Sequence, residues 1–359
     1  MNEFQTEIEA AIRLVEQNYA GYADKRARLG AEVLEGAATR ARNAATQAIS
    51  LSECDRILYD YVSVFQEGHL VAASITGDGE ITNLKRTYNP SAYAPKPSTW
   101  TNEPSARTLS PETFLLTVPS FDLQQKATLD GLLAVRDAEI KVRPNLIIDV
   151  RGNGGGSDDT YSALRPYLYT QPITQTGTDV LATRASADAW ESMLAQAFVT
   201  DEEFVAHFNA VMEKMRSVPE GTFIPWNDDS MDTFDEVFPR PAKVAVLINR
   251  DCGSTTEQFL LEARQSKKVA LYGETTAGVL DYSNMRTFKL PSGNRVLGIA
   301  TTRSRRLPDN PVDGIGIEPD VIIPNLTHPQ SPDDNAIELV KAAVERQLPV
   351  GDVAAARAG

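Results

Sequence analysis

Three short runs constrain this chain most: Asn145–Val150 (NLIIDV), Val244–Ile248 (VAVLI) and Val269–Tyr272 (VALY) are apolar at nearly every position. A strand with one wet face alternates apolar and polar residues. A run without alternation must be covered on both sides, as inside a parallel or mixed sheet with helices on its faces. Each run closes in a polar or glycine-rich turn, and a helix beginning at Ser254 separates the second from the third. Strand, helix, strand in that order predicts an α/β fold. Thr113–Val118 and Val321–Ile323 read as further strands and Leu129–Ala138 as a helix. Thr287–Leu290 and Val296–Thr301, flanking Pro291–Asn294, read as an antiparallel hairpin.

Ahead of this core the pattern is helical. Phe4, Ile8, Ile12, Val15 and Tyr19 recur at helical spacing, Ala31–Ile49 is alanine-rich, and Ser52 is placed to cap a third helix carrying Leu58, Tyr61, Val62 and Phe65. Gly68 would end that helix and leave His69 just beyond it. The expected division is therefore a helical subdomain over 1–68 and a core over 69–359, interrupted at about 160–240. Phe204, Val205, Phe208, Val211, Met212 and Met215 form an apolar stripe there, so the interruption reads as a helical insertion able to wall or cover a site. Asp334–Leu348 reads as the last helix, with a frayed tail after it.

Composition narrows the function. With 49 acids against 35 bases over 359 residues, the net charge of −14 suits neither a phosphate backbone nor an anionic membrane surface, so nucleic acid is not an expected partner. No run approaches the ~18 apolar residues of a membrane span. The opening MNEFQTEIEAAIRL has acids where a signal peptide has bases, which predicts a cytoplasmic location, or a periplasmic or secreted one if a leader has been removed. Cys54 and Cys252 are too few for a disulfide framework and read as two buried thiols. His69, His207 and His328 have no metal-ligand spacing, so no metal and no cofactor is expected.

Four segments could carry chemistry. Gly253-Ser254-Thr255-Thr256-Glu257 follows a strand directly; its serine at a helix N-terminus suits a nucleophile, although Ser-x-x-Glu is also an ordinary capping box. Asp149-Val-Arg-Gly-Asn-Gly-Gly-Gly156 exposes backbone N–H groups but lacks both the phosphate-loop and the dinucleotide pattern, and alone it reads as a flexible turn. Glu67-Gly68-His69 offers one histidine, and a lone histidine is more often structural. Asp313-Gly-Ile-Gly-Ile-Glu-Pro-Asp320 reads equally well as a turn entering a strand.

Taken together, the four resemble the tail-specific, or carboxy-terminal-processing, serine peptidases. That family carries Asp-x-Arg-x-Asn-x-Gly-Gly after one strand, Gly-Ser-x-x-Glu after the next and Gly-x-Gly-Ile-x-Pro-Asp near the end. The matching residues are Asp149, Arg151, Asn153, Gly155 and Gly156; Gly253, Ser254 and Glu257; and Gly314, Gly316, Ile317, Pro319 and Asp320, over roughly Leu109–Pro324. Many members pair the serine with a lysine inside Gly-Glu-x-Thr-x-Gly-Lys. This chain has Gly273-Glu-Thr-Thr-Ala-Gly-Val279, and Lys267, Lys268 and Lys289 do not match the position.

The chain resembles instead the tricorn-core branch, in which a histidine before the core is the base and a carboxylate before the last motif orients it. His69 and Asp313 fall on those positions, though the histidine follows Glu67-Gly68 rather than Asp-Gly, and an aspartate stands where a glutamate is usual. The resemblance implies a ClpP/crotonase-like core sheet with helices on its faces. It also implies acyl transfer by a Ser254–His69–Asp313 triad, with the oxyanion held by the N–H of Thr255 and one from Gly155 or Gly156. The stretch between His69 and Thr113 is too short for the PDZ domain of lysine-type members. Expected substrates are short peptides or unfolded protein, and self-association is left open. The rival readings are an inactive peptide- or lipophile-binding protein and an acyl-CoA enzyme on the same fold. Cys252 precedes the turn and is not the expected nucleophile.

Overall fold

The computed structural model describes residues 2–77, 79–89, 100–196, 201–326 and 334–346. His328, the tail after 346 and the Pro-rich stretch 90–99 lie outside them. The protein is mixed α/β and divides into two units. One comprises Met1–Tyr93, Thr176–Asp229 and Asp281–Pro311; the other comprises Ala94–Gln175, Ser230–Leu280 and Val312–Gly359.

The second unit contains the three apolar runs. Its six-stranded sheet runs, in order, Val321–Ile322, Val269–Gly273, Lys243–Ile248, Asn145–Asp149, Thr113–Thr117 and Ser105–Thr108. Every pairing is parallel except the last. All five residues of Asn145–Asp149 are buried, as continuous apolar strands require. One face packs on Leu129, Tyr161, Phe259 and Leu260, from the helices Lys126–Val142, Asp158–Tyr161 and Thr255–Ala263. The other is covered by Ala336, Val340 and Val344 of the helix Ala336–Arg346.

The first unit is built on an antiparallel sheet ordered Ile81–Asn83, Leu70–Ile75, Arg295–Ser304, Thr178–Ala182 and Thr222–Asn227, with Tyr282–Lys289 also paired to Arg295–Ser304. The expected hairpin is therefore present and longer than its apolar centre. Helices Glu3–Asn18, Ala31–Gln47 and Leu51–Ser63 bury Ile8, Ile12, Val15, Leu34, Cys54 and Leu58 in one cluster with Leu297 and Ile299 of the sheet. The structure groups 1–68, expected as an N-terminal helical subdomain, with strands from much later in the chain. The helices' apolar stripes need a partner, and the sheet supplies it.

Two local expectations are corrected. The third helix is capped by Ser50, whose hydroxyl accepts from the Glu53 N–H while the Glu53 carboxylate accepts from the Ser50 N–H, rather than by Ser52. That helix ends at Ser63, before Gly68, and Gln66 takes the left-handed conformation at φ 51°. The insertion is not purely helical either. Its helices Arg184–Gln196 and Glu202–Ser217 are bracketed by Thr178–Ala182 and Thr222–Asn227, both strands of the first unit's sheet, around a core of Trp190, Phe208, Met212 and Met215.

Candidate active site

Ser254 is the N-cap of the helix Thr255–Ala263, at φ 57° and ψ −126°. Side chains with a Cβ rarely occupy that region, and they do so where the surroundings hold them at a cost. A strand ending at Ile248 and a helix starting at Thr255 leave six residues for the reversal, and the strain falls on the serine. The expected site glycines are explained by proximity to this turn. A Cβ on Gly155, at φ 105°, would lie 2.8 Å from Ser254 Cβ and 2.9 Å from the Thr255 nitrogen. A Cβ on Gly253 would meet Val279 Cγ2 at 2.8 Å, so the residue standing at the lysine position packs apolar surface against the Ser254 turn.

Asn153, fully buried, ties the glycine loop to that turn. Its side chain donates to the Val118 carbonyl at 3.0 Å and accepts from the Gly155 N–H at 3.0 Å. Its own carbonyl accepts from the Gly253 N–H at 3.2 Å and the Thr256 hydroxyl at 2.9 Å. The Gly155 N–H is thereby committed to the loop. Among the described residues, no hydrogen bond engages the N–H of Gly156 or of Thr255. Arg151, also buried, forks onto Asp149 at 2.7 Å and Asp334 at 2.6 Å and fixes the start of the loop.

Glu257 does more than close a capping box. Its carboxylate, wholly buried, accepts from the N–H groups of Ser254 (3.1 Å), Gly278 (2.7 Å) and Val279 (2.9 Å) and from the Thr276 hydroxyl (2.5 Å). Burial raises its pKa above the usual carboxylate range, against the pull of these four donors. Thr276 Oγ1 in turn accepts from the Ile317 N–H at 2.7 Å, and the Gly314 N–H donates to the Gly278 carbonyl at 2.9 Å. The segment carrying Asp313 is so joined to the helix that Ser254 caps. Asp313 is half-buried, and its Oδ1 accepts from the Leu280 N–H at 2.6 Å.

Two other groups nearby titrate unusually. Burial pushes the Cys252 thiol up to about 12; its Sγ lies 3.1 Å from the Val150 carbonyl, so it is a packed thiol and no nucleophile. Asp158 follows the glycine loop. Crowding around its carboxyl and then the charge of Glu262 raise its pKa, while a bond with Thr255 opposes the rise. The residue as a whole keeps solvent contact, and the upward direction is what its neighbours dictate.

His69 belongs to the first unit, in the turn that opens the strand Leu70–Ile75. Its N–H donates to Glu67 Oε1 at 3.1 Å, and its ring Nδ1 lies 2.7 Å from the Tyr282 carbonyl oxygen. A carbonyl can only accept, so Nδ1 carries the proton and the neutral ring presents the lone pair of Nε2. That is the tautomer a base requires. The second unit thus gathers Ser254, Thr255, Gly155, Gly156 and the Asp313 segment, and the first unit orients His69. Sequence reasoning missed Tyr282, because any residue could supply that carbonyl; it quoted Asn153 without a role, and the several acceptors on one asparagine were the available signal.

A strained serine between a parallel strand and a helix, backed by glycines and a buried carboxylate, is the architecture of a serine hydrolase. The model of peptidase family S41 matches residues 113–323, more than half of the sequence. The chain belongs to peptidase family S41 and is a serine-type peptidase. Solved structures share the fold at low identity. A proposed peptidase from Parabacteroides merdae ATCC 43184 superposes with a TM-score of 0.59 at 17% identity, covering 98% of this chain and 99% of that one. Mature CPAF in complex with lactacystin gives 0.59 at 15% identity, covering 89% and 93%. No curated protein matches the chain in sequence. Among the described residues, no helix is long and apolar enough to cross a membrane.

Proposed function

We propose that the chain hydrolyses peptide bonds through an acyl-enzyme on Ser254, with His69 as general base and then acid. The strained backbone of Ser254 carries this reading: a serine serving only as a helix cap has no need of φ 57°, ψ −126°. Ser254 Oγ attacks the carbonyl carbon as its proton passes to His69 Nε2. The C–N bond breaks, that proton leaves on the amine, and water then cleaves the ester by the same route. The N–H groups of Thr255 and Gly156 hold the oxyanion. Asp313 serves as a positioning residue: it fixes Leu280, and two residues on, Tyr282 offers its carbonyl to His69. Labelling by a fluorophosphonate probe tests the reading. The wild type should label, while Ser254→Ala and His69→Ala should not; a wild type that stays unlabelled with both units folded would refute it.

Short or unfolded peptides are the proposed substrates. The interruption expected over 160–240 is narrower in the structure: Thr176–Asp229 leaves the second unit after Gln175, downstream of the glycine loop, and the chain returns at Ser230, ahead of the strand Lys243–Ile248 that leads to Ser254. Digesting one sequence as a short peptide, as unfolded protein and as folded protein decides the matter; equal rates on the folded form would refute it.

A further inference from the structure

We propose that the buried pair Lys25–Glu67 is a positioning device that sets the posture of His69. This rests on the reading of His69 as the base. Lys25 Nζ lies 3.0 Å from Glu67 Oε2, and the two side chains are 4% and 0% exposed. An ion pair so far out of water is held by geometry and by further hydrogen bonds, and it gains little as mere stabilisation. Those bonds converge on the histidine. Glu67 Oε2 also accepts from the Tyr19 hydroxyl at 2.8 Å, leaving Oε1 to accept from the His69 N–H at 3.1 Å. Lys25 reaches the Gln66 carbonyl at 3.4 Å, pinning the left-handed residue that turns the chain toward His69.

The same groups hold the residue that receives Nδ1. Lys25 Nζ stands 5.5 Å from the centre of the Tyr282 ring, and Tyr19 packs edge-on against that ring at 5.6 Å. The Tyr282 hydroxyl donates to Asp24 Oδ2 at 2.8 Å, which also accepts from Arg303 Nε at 2.7 Å. Backbone and ring of His69 are thus fixed by one connected network, all of it within the first unit. Among the described residues, the charged members of this network are Lys25, Glu67, Asp24 and Arg303, joined by the phenols of Tyr19 and Tyr282. Two positive and two negative charges balance, so removing one member changes the field at the imidazole with a definite sign.

The test uses the full chain and two readouts. There are three histidines, so the His69 imidazole can be followed by NMR and assigned with His69→Ala. Glu67→Gln removes a negative charge and should move the His69 midpoint to lower pH; Lys25→Met removes a positive one and should move it to higher pH. Each should lower kcat by about tenfold or more with KM within about twofold, because the base is misplaced while the substrate contacts remain. Wild-type titration and kcat in both variants, or shifts of the same sign, would overturn the proposal. Where a single variant does not fold, Lys25→Met/Glu67→Gln carries the test: the midpoint should return toward wild type with kcat still low, and wild-type kcat would overturn the proposal. If His69→Ala keeps full activity, the base assignment fails, while the opposed NMR shifts still decide the pair.

Discussion

The strain at Ser254 can be measured by exchanging the serine for residues that feel the backbone differently. Alanine keeps a Cβ and so keeps the cost of φ 57°, ψ −126°; glycine removes it. Holding a residue with a Cβ in such a region costs about 1–3 kcal/mol. Glycine returns roughly 0.4–1 kcal/mol of that through the greater freedom of its unfolded chain. Ser254→Gly should therefore be more stable than Ser254→Ala by about 0.5–2 kcal/mol, although both lose the hydroxyl. In a cooperative unit of 150–250 residues that corresponds to a Tm difference of about 1–8 °C. Urea unfolding followed by circular dichroism, with fluorophosphonate labelling run alongside, measures both consequences: neither variant labels, and glycine unfolds at the higher midpoint. A Ser254→Gly protein no more stable than Ser254→Ala would show that the turn is relaxed, and the main support for the nucleophile would go with it.

Glu257→Gln keeps the shape but cannot accept from four donors; two orphaned donors should cost about 2–5 kcal/mol, and full stability would show the four contacts to be dispensable. Since burial raises the Glu257 carboxyl, its contribution to folding is largest below the unfolded carboxylate range and falls as pH climbs through the raised folded pKa. The variant should lose that slope in unfolding measured against pH. Cys252, with its thiol near 12, should resist iodoacetamide in the folded protein and react in urea; ready native labelling would refute its burial. With a histidine base, kcat/KM should rise through one ionisation in the neutral range, and this limb should survive Asp158→Asn even though the Asp158 carboxyl is raised toward the same window. A limb that disappears in that variant would reassign it to Asp158.

The sequence was most readable where burial leaves only one solution. Leu146–Ile148 and Val244–Ile248 are apolar throughout because both faces of their sheet are covered, and their period could not be mistaken for that of a half-wet strand. Gly155 and Gly253 were marked by motif alone; the reason for them, a Cβ that would strike Ser254 or Val279, is visible only in the structure. The first unit was less readable. Thr178–Ala182 and Thr222–Asn227 join Arg295–Ser304 from distant parts of the chain, and no local pattern announces a pairing across that separation. A run of helices at the N-terminus looked self-sufficient because their apolar stripes are visible in sequence while the sheet that covers them is not.

The partner of His69 shows the same limit in chemical terms. In the proposed mechanism, a carboxylate accepting from Nδ1 would both select the tautomer and stabilise the imidazolium formed as Ser254 gives up its proton. Here Nδ1 meets the Tyr282 carbonyl, which selects the tautomer but bears no charge. Charge-assisted hydrogen bonds are roughly twice as strong as neutral ones, so the carbonyl leaves part of the cation's stabilisation to be supplied elsewhere. Glu67 is the carboxylate bound to the histidine's own backbone N–H, and Lys25 pairs with it out of water at 3.0 Å. In the proposed mechanism, orientation and charge, joined in one residue of a Ser-His-Asp triad, are divided between a backbone carbonyl and a buried ion pair. Sequence could propose Asp313 for both tasks because a motif marks its position; the division became visible only once the hydrogen bonds of Tyr282 and Glu67 were in place.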